Sequence, residues 1–157
     1  MTTLHVFQWL DSTTIGNIIR DSTYIFPIVE VFHLFGLTLL LGTLTITDLR
    51  MLGVGMRRQS IAEVATQLAP WTIWGAVVTI VSGVLLFLSE AMKCYANAAF
   101  PWKMWMLLAG VLLYLFVQLP LSRRTPRNSS AILKAVAVLS LVFWYGVAVA
   151  GRAIAFV

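Results

Sequence analysis

"LAPWTIWGAVVTIVSGVLLFLS", residues 68–89, is the stretch that decides the fold. It carries no ionisable side chain, and it is as long as the roughly 20 residues that a helix needs to cross a bilayer. Strands of a membrane barrel alternate apolar and polar residues over about ten positions, and this stretch does not. We therefore predict a transmembrane helix here.

Three more stretches have the same character. Residues 104–122 and 135–151 lack ionisable side chains apart from tyrosine, and residues 23–47 are interrupted only by Glu30 and His33. Runs of this length predict three further membrane crossings.

The predicted fold is all-α: a four-transmembrane-helix bundle with an N-terminal interfacial amphipathic segment. Residues 4–20 are apolar with little charge, which suits a segment lying in the membrane interface. The predicted spans of this single domain are 24–52, 71–89, 102–121 and 131–156.

Bulk composition agrees with a membrane protein. The chain has 157 residues, of which 60% are apolar and 11% charged, whereas soluble domains are nearer half apolar and a quarter charged. The net charge of +5 does not indicate nucleic acid, because the basic residues lie in loops beside the spans. We expect the lipid bilayer as a partner and no nucleic acid.

The basic residues also predict the orientation, because cytoplasmic loops carry an excess of lysine and arginine. One side of a four-span chain holds Arg50, Arg57, Arg58, Arg123, Arg124, Arg127 and Lys134. The other side holds Arg20, Lys93, Lys103 and Arg152. We predict that both termini lie on the outer, periplasmic side.

Charged residues inside the spans predict how the helices pair. Glu30 and Asp48 are eighteen residues apart, which is five helical turns and the same helix face, and Lys134 and Arg152 are spaced identically. If the first and last spans are antiparallel neighbours, Glu30 meets Arg152 and Asp48 meets Lys134 as intramembrane ion pairs. Alternatively, the two basic side chains reach the headgroups, and Asp48 is neutralised by Arg50 or water.

Further polar residues predict a pocket at the outer side. Glu90 ends the second span, Lys103 opens the third, and Tyr145 lies about two turns before Arg152. With His33 they are expected to form an outer polar pocket. The alternative is that Glu90 and Lys103 are merely interfacial.

His33 is the main candidate for binding chemistry. A histidine within a membrane helix can ligate haem b, copper or another metal, or relay protons, and it can also be structural. Glu30, one turn away, is a candidate for setting the histidine tautomer, which makes both residues a predicted cofactor site. A second ligand would come from His33 of another copy in a homo-oligomer or from Met92, Met104 or Met106, whereas His5 on the arm is not expected to reach a haem. Gly36 suits either a macrocycle edge or close helix packing.

Three functions fit these residues. The first is a haem- or metal-binding redox subunit that uses His33. The second is a non-catalytic structural or assembly subunit of a larger membrane complex. The third is a small transporter or proton path. Motifs of nucleophilic catalysis, such as GxSxG or a Walker loop, are absent from the sequence, so enzymatic activity is not favoured.

Four segments carry a resemblance to a known family: "VEVFHLFGLTLLLGT" (29–43), "DLRMLG" (48–53), "SGVLLFLSEAMKCYANAAFPWKM" (82–104) and "GRAIAF" (151–156). They resemble a family of short bacterial four-helix membrane proteins that is catalogued as a domain of unknown function. The resemblance implies the four-helix fold and a bacterial inner membrane location. Its carrying positions are Glu30, His33, Gly36, Asp48, Arg50, Gly53, Lys103 and Arg152. More distantly, the H-x-x-G helix is similar to helices of copper-resistance membrane proteins and b-type cytochromes.

Overall fold

The computed structural model describes residues 3–56, 58–124 and 130–154, and over these residues the chain is helical without a strand. The α-helices are α1 (Thr3–Asp11), α2 (Thr14–Asp21), α3 (Ile25–Leu52), α4 (Ile61–Ser89), α5 (Ala91–Ala96), α6 (Ala99–Leu113), α7 (Leu119–Arg124) and α8 (Ala131–Ile154). A π-helical turn, Tyr114–Gln118, joins α6 to α7.

Four helical segments are long and apolar enough to cross a membrane. They are Ile25–Leu52, Ile61–Ser89, Ala99–Arg124 and Ala131–Arg152, and they contain 18-residue windows with mean hydropathies of 1.9, 2.1, 2.0 and 2.1, respectively. The all-α fold with four spans is confirmed, and the chain is a multi-pass membrane protein.

The second long helix begins at Ile61, ten residues before the predicted start of the span. A capping box starts it: Ser60 Oγ accepts a hydrogen bond from the Glu63 amide at 3.1 Å, and Glu63 Oε2 accepts one from the Ser60 amide at 2.7 Å. Pro70 is then incorporated within the helix rather than ending it. Residues 61–70 and the predicted span 71–89 are therefore one helix.

The N-terminal arm, α1 and α2, packs at one end of the bundle. Gly16 of α2 lies so close to α4 that a Cβ there would be 2.4 Å from the Leu88 carbonyl oxygen. Arg20 donates to Asp11 at 3.0 Å and to the Ser89 carbonyl at 3.3 Å. We call this the arm end, and we call the opposite end, where α3 connects to α4 and α7 precedes α8, the loop end.

Helices α3 and α4 cross in close backbone contact. A Cβ on Gly75 would lie 2.7 Å from the Leu40 amide nitrogen, and a Cβ on Gly36 would lie 2.8 Å from Thr79 Oγ1. Small residues permit such approach between membrane helices. Gly36 was predicted to suit either a macrocycle edge or close helix packing. In the structure it lies at the close contact between α3 and α4.

Helix α8 packs against both α3 and α6. Trp144 of α8 is buried with Leu40 and Leu44 of α3, and Met106 of α6 lies against Gly146. The prediction that the first and last spans are neighbours is therefore confirmed.

The register between α3 and α8 follows from one hydrogen bond. Ser140 Oγ donates to Asp48 Oδ2 at 2.8 Å, which places these two residues at the same level. The helices are antiparallel, so Arg152, twelve residues after Ser140, is level with Gly36, twelve residues before Asp48. Glu30 lies six residues further along α3, about 9 Å away along the helix axis.

Candidate functional site

His33 faces α4 from the half of α3 nearer the arm end. Its Nδ1 is 3.1 Å from the Thr79 carbonyl oxygen and 3.1 Å from Ser82 Oγ. The Ser82 hydroxyl donates its own proton to the Val78 carbonyl, so it is an acceptor toward the imidazole. With two acceptors facing it, Nδ1 carries the proton, and Nε2 keeps its lone pair.

The surroundings of the imidazole differ from the prediction in one respect. Thr79 and Ser82 set the tautomer, whereas Glu30, which was predicted to do so, makes no hydrogen bond to the ring. Glu30 and Lys103 act on His33 through their charges. Gly83 leaves room for the ring, since a Cβ there would be 3.1 Å from His33 Cε1.

The predicted outer ion pair is not formed. Glu30 is exposed, and no basic group of the described residues lies within ion-pair distance of its carboxylate. By the rise of an ideal helix, Arg152 stops about 9 Å short of Glu30 along the helix axis, because it is level with Gly36. Helix periodicity could not predict this axial offset.

The predicted inner ion pair is also wrong, since Asp48 has neutral partners. Gln118 Nε2 donates to Asp48 Oδ1 at 2.7 Å, and Ser140 Oγ donates to Oδ2 at 2.8 Å. Lys134 is exposed. A lysine near a span end reaches water with its ammonium, and this avoids the desolvation that a buried pair requires.

These three residues form a buried cluster that ties α3, the π-helical turn and α8 together. Asp48, Gln118 and Ser140 are each 0% exposed. Gln118 is the last residue of the π-helical turn, and such turns are frequent at functional sites. We call Asp48, Gln118 and Ser140 the Asp48 cluster.

The predicted outer polar pocket is only partly assembled. Glu90 forms an ion pair with Lys93. Lys103 lies against Gly151, where a Cβ would be 3.5 Å from its Nζ. The Tyr145 hydroxyl lies 3.2 Å from Thr45 Oγ1, nearer the loop end, so Tyr145 does not belong with the other two.

Cys94 lies in α5 outside the spans, near Glu90, Lys93 and Lys103. Burial raises the pKa of the Cys94 thiol, while the nearby Lys103 ammonium opposes that rise. Burial therefore favours the neutral thiol, which is neither a strong nucleophile nor a metal ligand.

Among the described residues of the spans, His33 Nε2 is the candidate metal ligand. Within residues 3–56, 58–124 and 130–154, no group of three or more histidine, cysteine or acidic side chains converges. A metal ion or haem bound at His33 Nε2 would need any further protein ligand from a methionine or from a second subunit.

Sequence reasoning missed the residues that position both sites. Thr79 and Ser82 hold His33, and Gln118 and Ser140 hold Asp48. Gln118 offered a signal, because a glutamine inside a membrane span needs a buried polar partner. The predicted basic residues Arg57 and Arg127, and the predicted helix end at 155–156, lie outside the described residues.

Fold and site together define a small helical multi-pass membrane protein with an oriented histidine in one half and a buried carboxyl in the other. The chain belongs to DUF6644, a family of unknown function, whose match covers residues 6–157. No curated protein and no solved structure is significantly similar to the chain.

Proposed function

We propose that this protein is a membrane subunit that binds haem b or a metal ion through Nε2 of His33. The observation that carries the proposal is the orientation of the imidazole, whose Nδ1 faces the Thr79 carbonyl oxygen at 3.1 Å. Histidines that ligate metals usually donate their other nitrogen to a carbonyl or carboxylate, which holds the ring and raises its basicity. The Thr79 carbonyl and the Ser82 hydroxyl suit this role.

The bound group would supply one-electron redox chemistry, and the residues of the chain would orient it. The described part of one chain contributes a single histidine donor here. We therefore propose that a second copy of the chain, or a partner subunit, supplies the other ligand. Excess arginine and lysine at the loop end supports an orientation with the arm end outside, in a bacterial inner membrane.

The test is the absorption spectrum and elemental analysis of protein purified in detergent. The wild type is expected to carry haem with a Soret band, or a stoichiometric metal ion, and His33→Ala is expected to lose it. His5→Ala is the matched control, because His5 is the other histidine of the chain and lies in α1 of the arm. Ser82→Ala should retain the group with about 10- to 100-fold weaker binding, since it removes one of the acceptors that hold the ring.

Wild-type protein that is colourless and metal-free after expression with haem and metals supplied would contradict the proposal. Retention of the bound group by His33→Ala would contradict it equally.

The second candidate is a non-catalytic structural or assembly subunit of a larger membrane complex. It is favoured by the same imidazole, because the Nδ1 contacts already link α3 to α4 without any ligand. Under this function, His33→Ala is expected to lower the stability of the protein in the membrane. A stoichiometric partner protein is expected to co-purify with the wild type and with His33→Ala. A proton path from His33 to Asp48 has less support, because the helix contacts at Gly36 and Gly75 close the interface between them.

A further inference from the structure

The Asp48 carboxyl is the most deeply buried acid among the described residues. It is 0% exposed, and both of its oxygens accept hydrogen bonds, from Gln118 at 2.7 Å and from Ser140 at 2.8 Å. Both donors are neutral. An ionised carboxylate in such a place keeps a charge that no described cation balances.

Ionisable side chains on the surrounding helices are exposed or make other contacts. They are Arg50 on α3, Glu63 on α4, Tyr114 in the π-helical turn, Arg123 and Arg124 on α7, and Lys134 on α8. Arg50 Nε donates to the Gln59 carbonyl at 2.9 Å, and Tyr114 is only partly buried. None of these side chains forms an ion pair or a hydrogen bond with the Asp48 carboxylate.

Gln118 carries a second, independent signal. Its side chain is 0% exposed, and Oε1 has no hydrogen-bond partner among the described residues, although Nε2 donates to Asp48. Buried polar atoms without a partner are rare and call for an explanation. Rotation of the amide by half a turn would bring Oε1 to the carboxyl, where it could accept a hydrogen bond from the O–H of protonated Asp48.

The pair therefore has one hydrogen-bonded arrangement for each form of the acid. With ionised Asp48, the amide presents its N–H; with protonated Asp48, it presents its oxygen. Ser140 donates to the second carboxyl oxygen in both forms. The site is four residues before the end of α3 at Leu52, about 6 Å along the axis from the loop end, so exchange with water there needs only a short path.

We infer that the Asp48 cluster is a proton-binding site, at which Asp48 takes up one proton and releases it again while Gln118 reorients. Uptake transfers a proton from a hydronium ion at the loop end to the carboxylate: one O–H bond of the hydronium breaks, the carboxyl O–H bond forms and water is left, and release reverses the transfer. The site is separate from His33 and does not depend on the proposed function.

The test uses the small number of aspartates in the chain, which are Asp11, Asp21 and Asp48. Asp11 and Asp21 lie in the arm, so D11N/D21N protein has Asp48 as its single aspartate. Labelling this protein with ¹³C-carboxyl aspartate in lipid nanodiscs isolates the Asp48 signal for NMR and infrared spectroscopy. Because Asp48 itself is unchanged, the test does not depend on the folding of an Asp48 variant.

We expect one transition from the protonated to the ionised carboxyl as the pH is raised, unchanged when K⁺ is replaced by Na⁺. Ser140→Ala should shift its midpoint, because the hydroxyl binds the charged form more strongly than the neutral one. Thr38→Ala is the control, since its hydroxyl bonds within α3 to the Leu34 carbonyl and it should leave the midpoint in place. A carboxyl that stays in one form at every pH would overturn the inference. Ionisation on adding Na⁺ at constant pH would also overturn it, in favour of a metal-cation site.

Discussion

Asp48→Ala is expected to lower the free energy of unfolding by roughly 2–5 kcal/mol, whereas Lys134→Ala changes it by less than about 0.5 kcal/mol. Truncation removes both acceptors of the Asp48 cluster, leaving the Gln118 amide and the Ser140 hydroxyl buried without partners. Each orphaned group costs about 1–3 kcal/mol. Lys134 is exposed, so its ammonium loses no buried contact. Reversible unfolding in mixed micelles measures both variants.

Asp48→Asn separates hydrogen bonding from charge. Asparagine keeps the shape and one acceptor oxygen. The free energy of unfolding of Asp48→Asn should therefore lie between that of the wild type and that of Asp48→Ala. Equal destabilisation by Lys134→Ala and Asp48→Ala would instead support the Asp48–Lys134 ion pair that the helix periodicity predicted.

Gly75→Val is expected to lower the free energy of unfolding by roughly 3 kcal/mol or more, because overpacking against backbone cannot be relieved by a rotamer change. The new Cβ would lie 2.7 Å from the Leu40 amide nitrogen and 3.1 Å from the Gly36 carbonyl oxygen. Helices α3 and α4 must then separate, and this also moves Thr79 away from His33. The same unfolding experiment measures the loss.

Gly42→Val is the matched control for that change. Gly42 lies on the same helix as Gly36, but no atom lies within 4 Å of the position that its Cβ would take. Its substitution should change the unfolding free energy by less than about 1 kcal/mol. Equal losses from the two valine variants would show that helix propensity rather than the α3–α4 contact is being measured.

The architecture could be predicted from run length alone. Apolar runs of about 20 residues leave no alternative to membrane helices, because backbone groups in lipid must be satisfied within the segment. Helix α4 begins ten residues before the predicted span 71–89, because the Ser60–Glu63 capping box starts the helix ahead of the apolar run. The contact between α3 and α8 was predicted from the acidic residues of one helix and the basic residues of the other, although these residues do not form ion pairs with each other.

The prediction of the two ion pairs was wrong because helix periodicity carries no information about the axial offset between two helices. Spacing predicts which residues share a helix face, but the axial offset between two helices depends on packing, here on Trp144 against Leu40 and Leu44. Neutral partners are equally hidden, because Gln118 and Asp48 are 70 residues apart in sequence. His33 was identified as a candidate, but its tautomer depends on α4 residues that no motif connects to it.

The central claim is that α4 holds the Nδ1–H of His33, so that Nε2 remains available to bind a ligand. The direct measurement is ¹⁵N NMR of the imidazole in His5→Gln protein, in which His33 is the single histidine. The account predicts a protonated Nδ1 and an unprotonated Nε2 whose signal shifts when haem or the metal ion is added. A proton on Nε2, with Nδ1 unprotonated, would contradict it.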